Sequence, residues 1–207
     1  MSNVDIIKAI LSVIILCFVV YILFVGLMHQ RYSFRVEQLS FGGVNILFNK
    51  SDLLFRKSVN NYLDTKRSLF KIEPRYDSFE EVLNSYYECY KFIRDEIKLL
   101  DVKKKRDKKL YEISNEILHI LNDFLTQYQN NYRRWHKYVS ENDKVLTREK
   151  DSKGKYVTLP YHLTPIWKVQ SHYYHFSKML NALIEVNQFF NEKIVKEFDI
   201  NTKKWGL

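Results

Sequence analysis

Residues Ala9–Met28 (AILSVIILCFVVYILFVGLM) pass twenty positions without a charged side chain, and their apolar residues would cover every face of a helix. A helix of that length spans a hydrocarbon core of roughly 30 Å. The pattern therefore predicts a single N-terminal transmembrane anchor, residues 1–28. A cleaved leader is the competing reading, and it needs a basic start, an apolar run of about 7–15 residues and a small-x-small cleavage pair. Met1–Lys8 instead holds one lysine offset by Asp5, and Val25–His29 offers no such pair.

After His29 the chain turns polar. A juxtamembrane segment, residues 29–50, contains Tyr32–Phe48 (YSFRVEQLSFGGVNILF), where partial alternation broken by Gly42-Gly43 predicts a short strand or a tight turn. From Ser51, read as an N-cap, apolar residues recur at helical spacing (Leu54, Phe55, Val59, Tyr62, Leu63, Leu69, Phe70) as far as Glu73-Pro74. Ser78-Phe79-Glu80-Glu81 reads as a capping box opening a second helix, whose stripe of Val82, Leu83, Tyr86, Cys89, Tyr90, Ile93, Ile97 and Leu100 ends near Asp101.

A third helix follows a lysine cluster, carries Leu110, Ile117, Leu121, Phe124, Leu125, Tyr128, Tyr132, Trp135 and Tyr138, and ends near Ser140. Lys144–Thr147 and Tyr156–Leu159 flank Asp151-Ser152-Lys153-Gly154, which predicts a hairpin or loop insertion. Beyond Thr164-Pro165 a final helix of about thirty residues is expected, with Val169, Tyr173, Phe176, Leu183, Ile184 and Ile194 on its core face. Four amphipathic helices with short connections pack most simply as an antiparallel, up-down four-helix bundle. The expected fold is thus all-α: an anchor, then a helical-bundle domain over residues 51–207 with a small hairpin before its last helix.

Composition refines this picture in two ways. Five glycines and three prolines are too few for a turn-rich β fold, and Lys8 and Asp5 cancel, so the whole net charge of +9 falls after residue 28. Such a surface attracts anionic lipid or nucleic acid in a salt-dependent manner. Lys8 alone precedes the apolar run while Arg31, Arg35 and Lys50 follow it, which favours a cytoplasmic domain on the inner (plasma) membrane. Cys17 lies within the run and Cys89 is alone in the remainder, so no disulfide joins two soluble segments.

Among chemical candidates, Asn131-Tyr132-Arg133-Arg134-Trp135-His136-Lys137 is the most pointed. Arg133 and Arg134 can hold a phosphate, and His136 can move a proton near neutral pH, which together suit RNA cleavage without a metal. A helical bundle bearing these residues resembles, in architecture, the HEPN class of ribonucleases, and its tethered form resembles antiviral accessory proteins. The R-x4-H spacing of that class is not met, because Asn131 stands five before His136.

His172-Tyr173-Tyr174-His175 would set two imidazoles on one helix face, but two ligands do not make a metal site, and no metal or cofactor is expected. Lys103, Lys104, Lys105, Arg106, Lys108 and Lys109 form a candidate phosphate- or lipid-binding run. In an up-down bundle that run lies at the end where the first helix begins. Aromatic residues interleaved with bases at 132–137 and 167–176 resemble a stacking surface for single strands, although core packing explains their helical spacing. The expectation is a single-pass membrane protein acting through a protein partner or as a homo-oligomer, as a scaffold or pore-forming effector, with a place in bacterial defence. The alternative is a tethered ribonuclease, or a module that binds RNA or anionic lipid.

Overall fold

The computed structural model describes residues 12–21, 24, 33–40, 43–49 and 51–206, the segments 33–40 and 43–49 by their backbone alone. The chain divides into two units, Met1–Leu54 and Phe55–Leu207. In the first, residues 12–21 are helical, with apolar side chains exposed from Val13 to Tyr21 and again at Phe24. Among the described residues no helix is long and apolar enough to cross a membrane. The rest of the expected anchor lies outside the described residues. Strands β1 (Ser33–Ser40) and β2 (Gly43–Asn49) then pair antiparallel, Ser33 opposite Asn49, which resolves the ambiguous juxtamembrane segment as a hairpin.

The second unit is mostly helical. Helix α1 (Ser51–Leu63) runs into it, followed by the single turn α2 (Arg67–Phe70), the helix α3 (Phe79–Glu96) and the long helix α4 (Lys105–Glu141). Strands β3 (Val145–Lys150) and β4 (Tyr156–Leu159) form a second hairpin, and helices α5 (Ile166–Ser171), α6 (Phe176–Phe189) and α7 (Val195–Phe198) complete the unit. A π-helical turn, Phe190–Ile194, joins α6 to α7.

Side-chain pairs fix the directions. Glu80 and Asn84 of α3 meet His136 and Arg133 of α4, so the two helices run antiparallel. Likewise, Tyr128 and Glu116 of α4 meet Lys178 of α6 and Lys193 of the π turn. Tyr62 stacks on Phe92 with ring centroids 3.9 Å apart, which sets α1 against the far end of α3. One core joins these helices, with Phe55, Leu63, Phe79, Tyr86, Leu121, Tyr132, Leu183 and Phe190 buried at its centre.

Four expectations change. The first helix does not continue to Phe70; it stops at Leu63, and the segment from Asp64 to Ser78 carries only the turn α2. Backbone groups freed by that break must find partners in a dry interior. Asn187 supplies two of them, accepting the Ile72 N–H at 2.7 Å and donating to the Ser68 carbonyl at 2.8 Å; Asn191 donates to the Phe70 carbonyl at 2.7 Å.

The capping box is the second change. Ser78 does occupy the N-cap of α3, yet its hydroxyl makes no capping bond. The Phe79 N–H donates instead to the buried side chain of Gln170, at 3.2 Å.

Third, the last helix is interrupted at residues 172–175, where Tyr173 turns inward against Tyr132 and Trp135. Pro165 therefore caps a short helix, α5, rather than opening a long one. Fourth, the apolar stripe after this interruption differs from the expected one: Ile184 faces solvent, while Met179, Val186, Phe190 and Phe198 are buried. Tyr138, expected on the core stripe of α4, is also exposed.

Candidate functional site

Where α3 and α4 open toward the hairpin, three polar side chains line up. The Glu80 carboxylate lies 2.5 Å from His136 Nδ1, and His136 Nε2 lies 3.1 Å from the Tyr161 hydroxyl. A carboxylate only accepts, so the imidazole carries its proton on Nδ1, and in its neutral form Nε2 accepts the phenolic O–H. His136 is 13 % exposed along its side chain and stacks on the buried ring of Tyr132, with planes 11° apart. Burial, followed by the Glu80 charge, raises the Tyr161 hydroxyl above its ordinary pKa. Both ring nitrogens of His136 are thus engaged in holding α3, α4 and the 3-10 turn Tyr161–Leu163 together.

The two arginines of the same segment diverge from it. Arg133 donates to Asn84 Oδ1 at 2.6 Å, one helical turn along α3 from Glu80. Arg134 is exposed. Of the three candidate catalytic residues, His136 and Arg133 serve as cross-helix ties, and only Arg134 is directed to solvent. Glu80, Tyr161 and Asn84 complete this network; nothing in their spacing marks them, because they come from α3 and from the loop after β4.

His172 and His175 do not share a helix face. His172 closes α5 and His175 precedes α6 at its N-cap. Burial, together with Lys168 and Arg148, lowers the His172 pKa and favours a neutral ring. Among the described residues no group of three or more His, Cys, Asp or Glu is arranged to hold a metal.

The lysine cluster spans the end of the turn between α3 and α4 and the first turns of α4. Its one acid, Asp107, is buried and accepts the Asp101 N–H at 2.9 Å. Lys104 lies 3.7 Å from Asp101 and Lys108 lies 3.9 Å from Glu112, whereas Lys103 and Lys105 are exposed and make no ion pair among the described residues. Lys109 is committed elsewhere: its ammonium meets Glu197 Oε2 at 2.7 Å, while Arg56 meets Oε1 of the same carboxylate at 2.6 Å. Burial pushes the Glu197 pKa upward, but the two cations outweigh it and hold the carboxyl below its ordinary value.

The chain matches no protein-family model, no curated protein and no solved structure.

Proposed function

We propose that this chain is a single-pass, membrane-tethered helical module in which residues 9–28 form the anchor and residues 51–207 form an up-down helical bundle on the cytoplasmic face of the inner (plasma) membrane. The module acts by contact with a protein partner or with further copies of itself. One observation carries the reading: from Val13 to Tyr21 apolar side chains at successive helical positions are about half or more exposed, a surface that water disfavours and lipid accepts. The use of His136 and Arg133 as ties within the bundle supports a contact role over a catalytic one. A place in bacterial defence belongs to the proposal by analogy with tethered accessory proteins.

Two measurements test it. The full chain should stay with membranes through alkaline carbonate and leave them only with detergent; release by carbonate would defeat the anchor. The detergent-extracted particle should have a mass of more than one chain, or gain mass on partner capture. A ribonuclease is the competing outcome. RNA cleavage that is lost in both Arg133→Ala and His136→Ala, with fold and particle size unchanged, would replace the contact reading.

A further inference from the structure

The shared carboxylate of Glu197 fixes which end of the bundle bears the lysine cluster. Arg56 lies in the second residue of the unit that begins at Phe55, and Lys109 lies in the second turn of α4. Both grip Glu197, so the turn between α3 and α4 sits at the end of the bundle where the chain arrives from the N-terminal unit. Lys57 and Lys196, each adjacent in sequence to a member of this clamp, are exposed. Val102 stands at the crest of the turn, 49 % exposed and directly before Lys103.

We propose that this basic turn is a contact surface for anionic lipid headgroups, docking the bundle end-on against the bilayer; the inference rests on the anchoring proposed above. The chemistry favours lipid over RNA. Residues 101–109 hold six basic side chains and one apolar crest but no aromatic ring on which a base could stack. An exposed valine among lysines suits the headgroup layer, where an apolar tip gains from shallow insertion while ammonium groups meet phosphate and carboxylate. The acids at the turn leave most of its charge in place: Asp101 offsets Lys104 at 3.7 Å, Asp107 is turned inward, and Glu197 is neutralised by Arg56 and Lys109.

The test uses the full chain with Cys17→Ser and Val102→Cys, labelled at position 102 with an environment-sensitive dye and reconstituted into phosphatidylcholine vesicles with or without phosphatidylserine. Emission should shift to the blue only with phosphatidylserine, revert as salt is raised, and fail to shift when Lys103, Lys105 and Lys108 are all changed to Gln. At about fivefold per basic group, that triple change should weaken the contact on the order of a hundredfold. Identical emission in both vesicles, or a triple variant that still responds, would overturn the proposal. A response to short RNA on phosphatidylcholine vesicles, with none to phosphatidylserine, would overturn it in favour of nucleic acid. Carbonate extraction of the same samples reads the anchor separately: release from the vesicles with the phosphatidylserine response intact removes the anchor and leaves the lipid contact standing.

Discussion

Gln170 and Phe79 lie ninety-one positions apart and meet at the start of α3, where the side-chain carbonyl of one accepts the backbone N–H of the other. The Gln170 amide also donates to the carbonyls of Pro74 and Asp77, at 3.0 and 2.9 Å, so a single buried side chain satisfies three backbone groups. Because each buried orphan costs about 1–3 kcal/mol, Gln170→Ala should destabilise the bundle by about 2–4 kcal/mol. Gln170→Glu should do at least as badly, since it keeps the acceptor and turns a second acceptor on two carbonyls. Denaturant unfolding with an unchanged slope reads both, and an Ala variant within 0.5 kcal/mol of the parent, about the scatter of ordinary surface changes, would remove Gln170 as the organiser of this corner.

Glu197 makes stability depend on pH. Its carboxyl titrates lower in the folded chain than its ordinary value of 4.5, so its contribution is complete above that value and is lost as pH falls through the folded pKa. Unfolding midpoints of the parent should therefore decline below about pH 4.5, the ordinary value, and Glu197→Gln should decline less steeply. At neutral pH the variant should lose about 1–2 kcal/mol, a charged hydrogen bond discounted for the exposure of Lys109. Parallel pH profiles for parent and variant would contradict the assignment.

Cys89 is buried, and burial pushes its thiol up to about 12. A thiol reagent acts on the thiolate, so Cys89 should resist alkylation at pH 8 in the folded protein and react fully in denaturant. Mass spectrometry distinguishes the two states. Modification of Cys89 under native conditions would mean that α3 opens readily.

The tie between Glu80 and His136 should appear as coupling. Glu80→Gln and His136→Ala each weaken the packing of α3 on α4, and the double variant should cost less than the sum by about 1–2 kcal/mol. Tyr161→Phe removes one neutral hydrogen bond and should cost only about 0.5–1.5 kcal/mol. Strict additivity in the Glu80 and His136 cycle would show that the 2.5 Å contact carries no energy.

Helical spacing marked α3 and α4 clearly, because each buries one continuous stripe and their register is unbroken over 18 and 37 residues. It misread the last helix for a physical reason. Periodicity counts apolar residues, and the interruption at 172–175 buries Tyr173 at a position that also suits a continuous helix. Nor does the pattern show the amides of Gln170, Asn187 and Asn191, which look like ordinary polar positions until the break at residues 64–78 is seen to need them. Of the candidate site, His136 and Arg133 stood out as residue types, but their partners Glu80, Asn84 and Tyr161 became visible only once α3, α4 and the turn after β4 were brought together.

The length of α4 has one more implication. Thirty-seven residues at 1.5 Å each make a strut of roughly 55 Å between the lysine turn and the strands that follow it. No small ligand can bridge such a span. Whatever seizes Leu146, Tyr156 or Trp167 works at the tip of a rigid mast, far from the basic foot, and the two extremities can be engaged at once by different molecules.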